Sequence, residues 1–331
     1  MKLLFLVFVL ILFVLISCAK WIEPIINKDI LEIDHIYYTT GYARDTFVSD
    51  SLVYIAEDQA GFSIYDRISD SLICHYYGSI ENARLISAVE EEDLLFVYDI
   101  YGSPASISVF EISDLSNPTI KPGITGETGD IRAMKCQFVS EGVVAILWTR
   151  MNIYRYGSYE KNNVPPFLGS YSLPPFPNAV EGFDFDSLYI FLTGAQRGLY
   201  IADKNSGNII SETNTPGQAL AVKVIENYAY IACKEAGLQV IDISNVENPE
   251  LIYSFDTSGY AQSVDVEEDY LVVGSGGGGV YLFDISEKHH PLFLDRVDNY
   301  YIGYTYKAIL NNGEVFVATK IGVVKLIINN Q

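Results

Sequence analysis

The sequence predicts an all-β fold made of repeated four-stranded units, and three observations carry that prediction. Residues 32–66 align without a gap onto residues 250–284, placing Gly41-Tyr42-Ala43 on Gly259-Tyr260-Ala261, Val48 on Val266, Gly61 on Gly279 and Asp66 on Asp284. A glycine stands five residues before an aspartate in four copies, Gly61 and Asp66, Gly198 and Asp203, Gly237 and Asp242, Gly279 and Asp284. Between these marks run short β-branched and aromatic stretches bounded by turn residues, such as Leu52-Val-Tyr-Ile-Ala56 and Leu251-Ile-Tyr-Ser-Phe255, with no helical period. The later glycines recur at roughly 40 residues, the length of four propeller strands. The stretch 31–331 then holds seven units, a seven-bladed β-propeller.

Two units are faint and are placed around 94–113 and 143–156, in the long gap between Gly61 and Gly198. The first hairpin of each unit turns through short acidic or Asn/Gly-rich segments, Glu90-Glu-Glu-Asp93, Glu267-Glu-Asp269 and Asn311-Asn-Gly313, whose charge discourages edge-to-edge association. The last unit, marked by Gly322, runs out after three strands, while residues 31–40 align with the outermost strand of another unit. The N-terminal strand is therefore predicted to complete the last blade, which removes an open edge and ties the chain ends together.

Residues 3–16 are fourteen uninterrupted apolar residues behind Lys2, too short to span a bilayer comfortably and the right length for a signal-peptide core. Leu15-Ile16-Ser17-Cys18 follows, an aliphatic residue three before a cysteine with a small residue directly before it. It resembles the bacterial lipoprotein signal. That resemblance implies cleavage before Cys18 and acylation of its sulfur (palmitate among the chains), with residues 1–17 removed and 18–30 left as a lipidated tether. One acyl chain holds a membrane only marginally, at about 0.8 kcal/mol per buried methylene, so stable anchoring needs the multiple chains the signal implies. The expected location is the bacterial cell envelope, with the outer membrane or cell surface favoured because Ala19 is not a strong retention signal.

With 42 Asp plus Glu against 21 Lys plus Arg the net charge is −21, which repels nucleic acid and anionic lipid surfaces. The membrane is thus reached through lipid and not through charge. Beyond Cys18, Cys74, Cys136 and Cys233 sit in or beside apolar runs and read as packing thiols, not as a disulfide framework.

The segments Gly237-Leu-Gln-Val-Ile-Asp-Ile-Ser244 and Gly279-Val-Tyr-Leu-Phe-Asp-Ile-Ser286, each preceded by an apolar strand, resemble the LVIVD repeat of exported bacterial β-propellers. The resemblance implies a propeller in the envelope and no common catalytic residues. Motifs for chemistry are weak. Gly274-Ser-Gly-Gly-Gly-Gly279 contains a formal G-x-G-x-x-G but joins strand to strand, where no helix N-terminus receives a pyrophosphate, and reads as a flexible loop. His289 and His290 are adjacent and point apart on an extended chain, so they read as a solvated loop and not a metal site. The repeated Asp66, Asp203, Asp242 and Asp284 read as turn caps. No catalytic residue, metal or cofactor is assigned, and the chain is expected to bind and not to catalyse.

The candidate binding face gathers the connections between blades and the loops between second and third strands: Tyr42, Glu57, Asp58, Tyr260, Tyr300, Tyr301 and Tyr304. Tyrosines beside small residues offer large stacking faces at little ordering cost. The partner is expected to be protein or glycan. The alternatives are a scaffold subunit of an envelope assembly and a hydrolase or lyase with carboxylates at the channel mouth. Replacing Cys18 by Ala is expected to abolish metabolic lipid labelling and to leave uncleaved precursor on a gel; normal processing of that variant contradicts the anchor.

Overall fold

The computed structural model describes residues 30–101, 106–125, 131–150, 153–161, 171–172 and 180–329. The leader, Cys18 and the tether lie outside the described residues. Seven antiparallel four-stranded sheets form the blades of a β-propeller. Strand β1 (Leu31–Tyr38) comes first in the chain, followed by blade I (β2–β5, 45–76), blade II (β6–β9, 83–125) and blade III (β10–β13, 131–172). Blade IV (β14–β17, 183–213), blade V (β18–β21, 221–255), blade VI (β22–β25, 263–297) and blade VII (β26–β28, 305–328, with β1) complete the order. The first strand of each blade lines a central channel. Among the described residues, helix is limited to one α-turn at Asn299–Ile302 and one 3-10 turn at Glu90–Glu92.

The two faint units are blades II and III. Blade III departs most from the repeat because β10 (Ile131–Ser140) and β11 (Val143–Arg150) run to 10 and 8 residues, against five in β18 (Ala221–Ile225) and β19 (Tyr228–Ala232). No glycine-to-aspartate spacing survives there.

The second strands explain the unbroken apolar runs. In blade I, Val53 and Ile55 pack towards blade VII, in the same cluster as Phe316, Ala318 and Val323. Tyr54 and Ala56 point the other way, into a cluster with Ile86, Leu95, Val97 and Phe110 of blade II. The strand alternates as any strand does, but both of its faces are buried, so the sequence shows no polar alternation. Seven hydrophobic clusters of the described residues occupy the seven junctions between successive blades. Each fully buried large side chain contributes about 1.5–3 kcal/mol. Cys136 and Cys233 lie in these clusters as free thiols, and burial pushes Cys233 up to about 12 and raises Cys136 too.

The repeated glycine and aspartate have separate structural causes. Gly61 has φ +80° and its missing Cβ would stand 2.0 Å from the Tyr76 carbonyl oxygen, so only glycine lets the third strand begin beneath the end of the fourth. At the other end of the same strand, Asp66 Oδ1 accepts the backbone N–H groups of Ile68 (3.0 Å) and Ser69 (2.7 Å). Asp203, Asp242 and Asp284 accept likewise from Ser206, Ser244 and Ser286. These bonds hold Asp66 and Asp203 below the usual carboxylate range. The aspartates are turn caps.

Ring closure follows the sequence expectation. β1 lies antiparallel on β28 (Gly322–Ile328), from Leu31 opposite Ile328 to Tyr38 opposite Gly322. Gly322 meets the Tyr37 carbonyl at 2.1 Å from its absent Cβ, as Gly61 meets Tyr76, so β1 stands where every other blade has its fourth strand. Asp295 of blade VI, buried, accepts the N–H groups of Ile30 and Leu31 at 2.9 Å each and fixes where the strand begins. Across the seam Arg67 of blade I donates to the carbonyls of Ser49 (2.7 Å) and Asn311 (2.9 Å) and pairs with Glu314 at 2.7 Å. Lys325 meets Asp34 of β1 at 2.8 Å, with Glu314 at 3.6 Å and Asp70 at 3.7 Å.

Deleting residues 31–40 is expected to lower the melting temperature by at least about 10 °C, because it opens a ladder edge and unties the ring, while deleting residues 20–27 leaves it within about 2 °C. Asp295→Ala strands two buried N–H groups and is expected to cost about 2–4 kcal/mol in denaturant unfolding. Equal melting temperatures for the two deletions contradict the closure.

Candidate functional site

The connections between blades and the loops between second and third strands emerge on one face, and close backbone contacts lock them together. The carbonyl of Glu57 lies 1.9 Å from where a Cβ of Gly41 would be, and the carbonyl of Ser258 lies 1.6 Å from that of Gly278. Each loop then bridges to the next blade: Asp58 pairs with Ala83, Ala195 with Ala219, Lys234 with Ala261 and Gly276 with Thr305. The glycine segment at 274–279 is accordingly a tight turn, not the flexible loop expected. Ser275 N–H donates to the Gly279 carbonyl at 2.8 Å, and buried Ser275 Oγ donates to the Ser258 carbonyl at 2.7 Å. Its glycines permit backbone approach.

Of the candidate residues, the tyrosines reach solvent and the two acids do not. Tyr300 and Tyr301 are 86% and 65% exposed on the one-turn helix, which Asp298 caps through the Tyr300 N–H at 2.9 Å and buried Ile302 anchors. Tyr42 and Tyr260 are 46% and 49% exposed, and Tyr304 is half-buried beside Tyr306. Glu57 and Asp58 correct the expectation of an acidic surface: both are buried beneath the face. The loop turns them inward to satisfy groups that would otherwise be orphaned. Glu57 accepts the Thr40 N–H at 2.9 Å and the Ser63 hydroxyl, with His75 at 3.4 Å. Asp58 receives Arg44 Nε at 2.8 Å and, at 3.7 Å, the guanidinium of Arg84.

The sequence matches the LVIVD repeat model over residues 40–71, 216–257 and 258–299, which are the first three strands of blade I and the whole of blades V and VI, with their preceding connections. Three of the seven blades thus carry LVIVD repeats. Among curated proteins none matches it. In fold it is similar to the solved structures of U3-55K (TM-score 0.71, 10% identity, 90% of this chain and 98% of that one) and of the RRP9 WD40 repeats (0.69, 10%, 90% and 97%). It is also similar to the computationally designed Ika8 protein (0.65, 12%, 89% and 98%). At these identities the likeness is one of fold.

Cations lie over the rings of several tyrosines of this face. Arg44 lies over the rings of Tyr306 (4.2 Å) and Tyr42 (5.8 Å), Lys320 over Tyr42 (5.7 Å) and Tyr304 (5.6 Å), and Lys234 over Tyr260 (5.5 Å). Such contacts contribute about 0.5–1 kcal/mol each at exposed sites. The cations were missed because they carry no motif. The usable signal was positional, since Arg44 stands two residues after the Gly41-Tyr42 pair and begins a channel-lining strand.

The channel encloses about 750 Å³ and is lined by the first strands of all seven blades. Its carboxylates brace neighbouring blades: Asp45 accepts the Ile86 N–H at 3.0 Å, Asp184 that of Val224 at 2.8 Å and Asp265 that of Leu310 at 3.0 Å. Lys307 pairs with Asp45, and Lys223 with Asp265 at 2.9 Å. His289 is an exposed loop residue, 3.9 Å from Glu287, while His290 packs edge-on against Tyr253.

Burial raises the Glu57 carboxyl above its usual 4.5, against the opposing pull of Ser63, His75 and the backbone of Thr40 and Gly41. A carboxyl raised on folding binds more protons in the native state, so its contribution is intact below 4.5 and is lost as pH climbs towards the folded value. In thermal unfolding across pH 4 to 7.5, the melting temperature of wild type minus that of Glu57→Gln is therefore expected to fall with rising pH. A difference that rises contradicts the buried, proton-binding Glu57.

Proposed function

We propose that this propeller is a lipid-anchored binding module of the bacterial cell envelope, holding a protein or glycan partner on its tyrosine face. The observation that carries the reading is the platform of Tyr300 and Tyr301. They are strongly exposed on a face where Tyr42, Tyr260 and Tyr304 lie under Arg44, Lys234 and Lys320. Aromatic and arginine side chains dominate the energetics of interfaces, and these are displayed on backbone fixed by strand ends and a capped turn. Little ordering entropy is then lost when a partner docks.

Chain direction supports the anchor's part in this. First strands run from the tyrosine face to the opposite one, and successive strands reverse, so every fourth strand begins on the opposite face and ends on the tyrosine face. β1 occupies the fourth-strand position, and its start is pinned by Asp295. A tether of residues 18–30 ending there would join the side away from the tyrosines. A membrane-held Cys18 then leaves the tyrosine face turned towards the surroundings.

Replacing Tyr300 and Tyr301 together by Ala is expected to weaken capture of the native envelope partner by at least about 10-fold, with the melting temperature within about 2 °C, since neither ring is buried. Affinity capture from envelope with the lipid intact, followed by titration of the recovered partner, measures this. Unchanged affinity of the double variant contradicts the face.

A further inference from the structure

We propose that the central channel is itself a ligand site, taking a small organic acid whose acidic group is received by Arg44, Arg84, Arg132 and Lys135. The site is separate from the exposed tyrosines at 300 and 301, and either can fail without the other.

The first observation is a local inversion of charge. The chain carries twice as many acids as bases, yet among the described residues the lining of the channel holds six cations, Arg44, Arg84, Arg132, Lys135, Lys223 and Lys307, against four carboxylates, Asp45, Glu181, Asp184 and Asp265. In an acidic protein such an excess in one enclosed space concentrates anions, because low-dielectric walls focus the field.

The second is the state of those charges. Asp45, Asp184 and Asp265 already accept backbone N–H groups of the next blade, and two of them also hold Lys307 and Lys223. At the mouth, Arg44 and Arg84 share one buried carboxylate, Asp58, so two guanidinium charges face one acid. Arg44 reaches Asp58 through Nε, and among the described residues neither of its Nη groups has an acceptor. Arg132, from the next blade, stands 3.9 Å from Glu181.

Deeper in, Lys135 faces the channel with no carboxylate oxygen of the described residues within 4 Å; its ammonium lies 5.0 Å from the ring of Phe185. Its side chain is open to channel water, yet the surrounding wall removes much of its solvation, and this, with the charge of Lys223, holds its pKa down against the pull of Asp184 and Asp265. An anion beside Lys135 relieves both effects.

The third observation selects an organic acid over a bare inorganic ion. Between the charged groups the lining presents Phe47, Leu85, Met134, Phe183 and Ile309, all half-buried. The volume falls within the range of about 300–1,000 Å³ typical of small-molecule sites, which join apolar walls to a few placed polar groups. Arg132 and Lys135 sit three residues apart on β10, roughly 10 Å along an extended strand, so the cationic lining extends from the mouth inwards.

The test is calorimetric titration of the whole protein at constant ionic strength with 3-phenylpropionate, with its neutral analogue 3-phenylpropanol and with inorganic phosphate. The expected result is saturable 1:1 binding of the carboxylate, at least about 10-fold weaker binding of the alcohol and of phosphate, and a loss of about 10-fold or more for the carboxylate in Lys135→Gln and in Arg132→Gln. Tyr300→Ala with Tyr301→Ala is expected to leave this titration unchanged. No saturable binding of the carboxylate up to about 10 mM (an affinity on the order of 2.7 kcal/mol or weaker), equal binding of the alcohol, tighter binding of phosphate, or carboxylate affinity indifferent to both charge substitutions overturns the proposal.

Discussion

The pairing of β1 with β28 is the interaction on which the rest of this molecule depends. A propeller has no central hydrophobic core; its apolar surface is buried at the junctions between blades, seven of them here. Each junction is completed only if both neighbouring blades are present, and the seventh exists only if the first blade finds the last. β1 supplies the fourth strand of blade VII, and its Tyr37 joins the cluster between blades VII and I. Arg67 and Lys325 reinforce the same seam. Arg67 directs its bonds along and across it, to Ser49, Asn311 and Glu314, and aligns with Ile285 in blade VI. A buried cation is tolerable only with such full pairing, and Arg67 finds it at the point of closure.

The functional surface is a consequence of the ring. Innermost strands have an edge that faces the channel, and the channel acids satisfy N–H groups along those edges from the adjoining blade. That use of Asp45, Asp184 and Asp265 leaves the channel cations in excess. On the tyrosine face, the loop of one blade bridges to the first strand of the next, so the connections carrying Tyr42 and Tyr260 are held by the same contacts that join blades. The proposed partner face and the proposed channel site thus meet at Arg44, which lies over Tyr306 and also lines the channel.

Much of the architecture was legible because repetition separates local from global causes. A glycine and an aspartate five residues apart, found in four copies, pointed to structure and not catalysis, and the Gly61 contact and the Asp66 turn bonds are their reasons. Blade III was faint because its longer strands keep no such spacing, and blade II because Ser106 and Glu111 stand where other blades have the glycine and the aspartate. The face was legible less completely. Loop position placed the tyrosines, but whether a loop side chain points out or in depends on backbone groups of another segment: Glu57 turns inward to the Thr40 N–H, seventeen residues away in the chain. The glycines at 274–279 read as flexible because the Ser258 backbone pressing on Gly278 has no trace in the local sequence. Likewise Arg44, Arg84 and Arg132 are scattered through the chain, and only the ring sets them around one mouth.

Native-state hydrogen exchange read strand by strand tests the closure most directly. If β1 is an integral strand of blade VII, the amides of β1 and β28 exchange with the same opening free energy as those of β27 (Glu314–Thr319), the next strand inward, through cooperative opening of the whole blade. Exchange of β1 and β28 through a separate local opening, lower by about 2 kcal/mol or more than that of β27, would show that the ring is held without β1 and would contradict the account.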